Sequence, residues 1–175
     1  MKRIKEETQA LVSRDDLTSL AKIYKTDKWG AHAYTPIYDK WFRDLRHRPV
    51  RLLEIGVGGF TKAHFGGNSL RMWKRYFPKG RITGIDIYDK TEFEEKRIRI
   101  YTGDQADAAF LEKINRAEGP FDIIIDDGSH NQSDILASLA TLFPLLKPGG
   151  IYVIEDTQTS YWERYEGSTS QMKNI

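Results

Sequence analysis

The sequence contains no cysteine, no internal repeat and no apolar run approaching the roughly 18 residues needed to span a bilayer. The first absence excludes a disulfide framework, a thiolate zinc site and a cysteine nucleophile. Any metal or covalent chemistry therefore falls to His, Asp, Glu, Ser or Lys. An excess of charge of one sign is also missing: 27 Lys and Arg against 25 Asp and Glu leave a net +2, too little by itself to indicate nucleic acid. The basic stretch Arg43, Arg46, His47, Arg48 and Arg51 reads more simply as a solvated helix end. The start, MKRIKEETQA, is charged and lacks the apolar segment of a signal peptide, so a cytoplasmic chain with no membrane partner is expected. At 175 residues and 39% hydrophobic side chains, one α/β-sized domain is expected and a second large one is excluded.

What is present is a change of period along the chain. Ser13 followed by Asp16 resembles a capping box, and Leu17, Leu20, Ala21 and Tyr24 then lie on one helical face that ends before Thr26. Thr35 reads as an N-cap with Pro36 at the first helical position, followed by the stripe Ile37, Tyr38, Trp41, Phe42 and Leu45. Between these helices lies the polar, aromatic loop YKTDKWGAHAY. From Val50 onward, short β-branched runs alternate with helical patterns, which indicates a parallel sheet with crossovers. Five strands are predicted over 51–58, 81–88, 97–104, 121–128 and 150–156, with helices over 69–76, 105–117 and 132–146, the last ended or kinked by Pro144. The expected division is residues 1–48 as N-terminal helices and loop, and 49–175 as the sheet-bearing core.

Open parallel sheets bind ligands beyond the carboxyl ends of their strands. The residues there are Glu54, Gly56, Gly58 and Gly59, then Asp86, then Asp104 and Gln105, then Asp126, Asp127 and His130, and finally Glu155 and Asp156. The turn LLEIGVGGF puts glycine where the chain bends sharply and approaches a ligand closely. A dinucleotide fingerprint would want glycine at position 61, where Thr61 stands, so pyrophosphate binding is disfavoured. Asp86 suits the two hydroxyls of a ribose, and turn plus Asp86 favour S-adenosylmethionine over a nicotinamide cofactor. Asp127, Glu155 and Asp156 should converge from adjacent strand ends. Three crowded carboxylates repel one another, and a hard dication such as Mg²⁺ would hold them ionised together. His130, three residues after Asp127, can face the same pocket and take a proton from a hydroxyl. In the simpler alternative, His130 caps the following helix and Asp126 and Asp127 form a turn.

With these motifs assembled, the chain resembles the metal- and S-adenosylmethionine-dependent sugar O-methyltransferases of the macrolide and rhamnosyl type. The resemblance runs from YKTDKWGAHAY through LLEIGVGG, GGNSLRMWKRYF, GIDIYDK, GDQAD and IIIDDGSH to LFPLLKPGGIYVIEDTQTSYW. It implies a Rossmann-like class I methyltransferase fold, mostly parallel, with N-terminal helices. It also implies methylation of a sugar hydroxyl on a glycosylated natural product or glycan, in antibiotic biosynthesis. Cofactor contacts by Glu54 to Phe60, Ser69, Asp86, Asp104 and Gln105 follow from it, as do Mg²⁺ ligation by Asp127, Glu155 and Asp156 and a general-base role for His130. The loop beginning YKTDKWG resembles a lid, and Trp29, Tyr34, Tyr161 and Trp162 are candidates to stack on sugar faces. Class I methyltransferases add two further strands after the fifth, so the chain is expected to lack them and to leave the fifth strand at a bare edge, with a fragment, a naturally shortened gene and a homo-oligomer covering the edge as the three explanations open. Two other readings follow: a non-catalytic cofactor-binding domain, and a nucleic-acid methyltransferase using the basic cluster.

Overall fold

The computed structural model describes residues 2–62 and 64–168. Strands β1 (Arg51–Ile55), β2 (Arg81–Asp86), β3 (Ile98–Thr102), β4 (Ile123–Asp126) and β5 (Ile151–Ile154) form one parallel sheet in the order β3-β2-β1-β4-β5. The chain runs outward from β1 to β3 and then returns to β4 on the other side of β1. The switch point therefore lies between β1 and β4, where a crevice opens beyond the strand ends. Register aligns the site: Ile55 pairs with Asp126 and Asp126 with Ile154, so Gly56, Asp127 and Glu155 come next to one another as the strands stop.

Residue alternation decides which strand residues meet which helices. Leu52, Ile82, Ile98, Ile100, Ile123 and Ile125 face a layer made by α2 (Leu17–Tyr24), α3 (Thr35–Phe42) and α4 (Asn68–Tyr76). Leu53, Ile55, Ile85 and Ile124 face the opposite layer of α5 (Ala108–Glu118) and α6 (Gln132–Leu142). The N-terminal helices thus share one apolar core with the sheet. At its centre Tyr38 and Phe42 stack on each other and meet Trp73 edge-on. A helix preceding α2, spanning Lys2–Val12, has no counterpart in the sequence reading; its Ala10 is fully buried and its Glu7 reaches Tyr24 and Arg75.

Several local expectations shift. The N-cap of α2 is Asp16, whose side chain accepts the Ser19 amide at 3.0 Å, in place of the Ser13 capping box. The N-cap of α3 is Tyr34, and Thr35 is already inside the helix with its hydroxyl 2.7 Å from that of Thr18. The buried face of α3 is Thr35, Tyr38 and Phe42; Ile37 and Trp41 are exposed, because the sheet side of this short helix is filled by its own aromatic residues. Strands end earlier than predicted, since the residues after Ile55, Asp126 and Ile154 leave the ladder to build the site. The helix after β3 starts at Ala108, capped by Asp107, and α6 gives way to a tight turn at Phe143–Leu145 around Pro144.

Candidate active site

The turn after β1 carries three glycines with positive φ: Gly56 at +91°, Gly58 at +87° and Gly59 at +81°. A Cβ on Gly56 would lie 2.0 Å from the Asp127 carbonyl oxygen, and one on Gly59 would lie 2.1 Å from that of Phe65. Both space and backbone angle demand glycine here. The loop that follows is folded around a buried cation: Lys90 Nζ donates to the carbonyls of Phe60 (2.9 Å), Lys62 (2.7 Å) and Phe65 (3.0 Å). At the end of β2, Asp86 accepts the Val57 amide on Oδ2 and the Tyr88 amide on Oδ1, each at 2.9 Å. Each oxygen keeps a lone pair, so the carboxylate that fixes the turn can still receive ribose hydroxyls. A cleft of about 680 Å³ lies over these strand ends, bordered by the glycines, Ser69, Asp86 and Asp104 and, at its other end, by Asp127 and His130.

Alternation sends Asp126 and Asp127 to opposite faces. Asp126 turns towards α6, where Ser138, Gln105 and Tyr152 bind it, and burial pushes its carboxyl up from the ordinary range. Asp127 turns towards the N-terminal layer and meets Lys28, which is fully buried. Lys28 Nζ lies 2.9 Å from Asp127 Oδ2, 2.6 Å from Glu155 Oε1 and 3.2 Å from Glu54 Oε1. Burial opposes the charge on Lys28, but the three carboxylates outweigh it and hold its pKa well above the usual value. Glu155, itself buried and close to Asp127, is pushed up to about 8, with Lys28 resisting the shift.

Asp156 accepts the Tyr34 hydroxyl at 2.6 Å and lies 3.6 Å from His32 Nδ1, whose ring stacks on Tyr34. Burial works against its charge, yet Tyr34, Gln158 and the two neighbouring imidazoles bring its pKa below the ordinary value. His130 Nε2 sits 3.6 Å from Asp156 Oδ2 and 3.9 Å from Asp127 Oδ1. Single ligand atoms of Asp127, His130 and Asp156 all fall within 4.8 Å of one another, a spacing one cation can bridge. The hard oxygen donors among them fit Mg²⁺. His130 and Asp156 both hold left-handed backbone, φ +61° and +51°. Non-glycine residues adopt that conformation at a cost of about 1–2 kcal/mol, so packing keeps them aimed into the cluster against local preference.

A family profile described as a methyltransferase domain matches residues 10–157. This chain belongs to that methyltransferase-domain family. Among its relatives, mycinamicin VI 2''-O-methyltransferase of Micromonospora griseorubida is 54% identical over 155 residues, covering 88% of this chain and 39% of the relative. An O-methyltransferase of Streptomyces olivaceus, acting at the 2' position of 8-demethyl-8-α-L-rhamnosyl tetracenomycin C, is 49% identical over 152 residues, covering 87% and 40%. A solved structure of the MycE methyltransferase from the mycinamycin pathway, in complex with Mg, S-adenosylhomocysteine and mycinamycin VI, superposes with a TM-score of 0.88. It is 52% identical, and the match covers 90% of this chain and 43% of that one. The chain thus spans about two-fifths of the length of these relatives.

In this methyltransferase domain the expected site residues divide into groups. Gly56, Gly58, Gly59, Ser69, Asp86 and Asp104 border the cleft. Glu54 does not: it is fully buried one layer below, because alternation points it at the N-terminal helices and Lys28. Gln105 also lines the cleft, though its side chain is engaged within the protein, donating to Asp126 at 3.2 Å and accepting the Ser129 amide at 2.8 Å. Asp127, Asp156 and His130 come together, whereas Glu155 lies outside that group of ligand atoms, with Oε1 taken by Lys28 and Tyr38. Trp29 packs against the core with Lys22 over its ring, Tyr34 binds Asp156, and Tyr161 and Trp162 are exposed. Within the basic cluster, Arg43 pairs with Asp39, Arg46 with Asp15, and Arg51 with carbonyls of Glu118 and Gly119. Sequence reasoning missed Lys28 and His32; the alternation of charge and aromatics in KTDKWGAHAY was the signal available. Among the described residues no helix is long and apolar enough to cross a membrane.

Proposed function

We propose that this domain binds S-adenosylmethionine and Mg²⁺ and methylates a sugar hydroxyl of a glycosylated natural product or glycan. The observation that carries this reading is the continuity of one cleft lined by the Asp86 carboxylate and by Asp127 and His130, which form a cluster with Asp156. The relatives' substrates, mycinamicin VI and a rhamnosyl tetracenomycin, support the acceptor class. Asp127 and Asp156 would hold the ion, with Glu155 contributing Oε2, the oxygen that Lys28 and Tyr38 leave over. The bound groups supply an activated methyl on sulfur and a dication that polarises the acceptor hydroxyl. The chain's own residues do the rest. Asp86 and the glycine turn orient the donor, and His130 Nε2 receives the hydroxyl proton. Asp156 Oδ2, 3.6 Å away, stabilises the resulting imidazolium. The walls of the cleft align oxygen and methyl and exclude water, which is where the acceleration arises.

The test is incubation of the chain with S-adenosylmethionine, Mg²⁺ and glycosylated macrolide or rhamnosyl acceptors, followed by product mass. His130→Ala should leave S-adenosylhomocysteine affinity intact and slow transfer by about 10²–10⁴-fold. Asp127→Ala should abolish Mg²⁺ dependence. Loss of S-adenosylhomocysteine binding in both variants would show that the site is misplaced.

A further inference from the structure

Asp127, Glu155 and Asp156, which follow β4 and β5, each accept side-chain hydrogen bonds on one oxygen only, and each has a donor from residues 28–38. Asp127 receives Lys28 Nζ on Oδ2 at 2.9 Å, while its Oδ1 faces His130. Asp156 receives the Tyr34 hydroxyl on Oδ1 at 2.6 Å, joined there by the more exposed Gln158 amide at 3.1 Å, while its Oδ2 faces His130 Nε2. Glu155 receives both Lys28 Nζ, at 2.6 Å, and the Tyr38 hydroxyl on Oε1. The partners are 99 to 127 residues apart in sequence, so no local turn imposes this pattern.

We propose that Lys28, Tyr34 and Tyr38 are positioning residues for the cation: Lys28 and Tyr34 bind the far oxygens of Asp127 and Asp156 and so aim Oδ1 and Oδ2 at one point, and Lys28 and Tyr38 together fix Glu155 by Oε1 beside them. The inference rests on the reading of this cluster as the Mg²⁺ site. A carboxylate pinned by one oxygen has lost its rotational freedom before the ion arrives. Contacts of this kind behind metal ligands typically change affinity by about 10–100-fold. The three residues are not equivalent. Lys28 works for the ion by geometry and against it by charge, and it also supports Glu54. Tyr34 is uncharged and half-buried, so its hydroxyl isolates the geometric contribution.

The experiment measures Mn²⁺ affinity of the full chain by the loss of the free-ion electron paramagnetic resonance signal, alongside S-adenosylhomocysteine affinity by calorimetry without metal, and thermal melting. Tyr34→Phe keeps the ring and removes one hydroxyl; it should weaken Mn²⁺ binding by about 10-fold while leaving S-adenosylhomocysteine affinity and melting unchanged. Tyr38→Phe should act in the same direction. Lys28→Met is read only if it melts cooperatively, and Tyr34→Phe decides the matter without it. Unchanged Mn²⁺ affinity in Tyr34→Phe overturns the inference and leaves the cation site standing. A parallel fall in Mn²⁺ affinity, S-adenosylhomocysteine affinity and melting temperature also overturns it, in favour of a general structural role. Failure of the unmutated chain to bind Mn²⁺ refutes the cation site itself.

Discussion

Replacing Lys28 by Met tests whether one buried ammonium holds the strand ends together. Met fills much of the same volume but leaves Glu54, which is fully buried and whose oxygens make no hydrogen bond, without its cation. A carboxylate in that position will take up a proton. In the wild type, burial already raises the Glu54 pKa against the pull of Lys28. With an unfolded pKa of about 4.3, neutralising it at pH 7 therefore costs at most about 3.7 kcal/mol relative to the wild type, since each pKa unit is worth about 1.36 kcal/mol. That agrees with the about 3–5 kcal/mol expected for removing one partner of a buried ion pair. At roughly 2–4 °C per kcal/mol for a domain of this size, the melting temperature should fall by about 7–15 °C. The sign of the pH dependence follows. In the variant the folded-state pKa of Glu54 lies above its unfolded value, so its penalty is absent below the unfolded pKa and grows as pH rises. Urea denaturation of both chains should therefore show a gap that is small near pH 4.5 and full at pH 7. Lys28→Met/Glu54→Leu should recover much of the loss, because an apolar pair of similar volume replaces the ion pair. A gap below about 1 kcal/mol at pH 7, the ordinary cost of a point substitution, would refute the reasoning, as would a gap independent of pH.

Gly56→Ala forces a side chain against the Asp127 carbonyl and into a positive φ; it should abolish S-adenosylhomocysteine binding in calorimetry even if the domain still folds. Lys90→Met strands three loop carbonyls, and it should weaken S-adenosylhomocysteine binding and increase proteolytic cutting between residues 60 and 65, with little change in Mn²⁺ affinity. Asp16→Ala removes the N-cap of α2 and should cost about 1 kcal/mol at neutral pH. The folded-state pKa of Asp16 is lowered, chiefly by the Ser19 hydroxyl, so the cap's contribution is present above the unfolded pKa and lost as pH falls through the folded one. Wild type and variant should converge in acid denaturation curves.

Much of this protein was legible without coordinates because it depends on local chemistry. Apolar runs broken by glycine and aspartate located all five strands, most clearly the central β1 and β4, which are buried on both faces. The glycine turn and Asp86 announced themselves because few other residues satisfy such backbone angles or so many hydroxyls. The fate of each acid was decided elsewhere. Asp126 and Asp127 are neighbours in sequence, yet strand alternation sends one to Ser138 and the other to Lys28. Glu54 and Glu155 look like ligand residues in a linear reading; their burial follows from a loop a quarter of the way along or less, which closes over them only when α2 and α3 dock on the sheet. The sequence by itself determined which segments become strands and what chemistry collects beyond them. Only the tertiary structure decided which oxygen of each carboxylate is spent on the protein and which is left for a ligand, because that choice depends on contacts between segments about a hundred residues apart, and no periodicity encodes them.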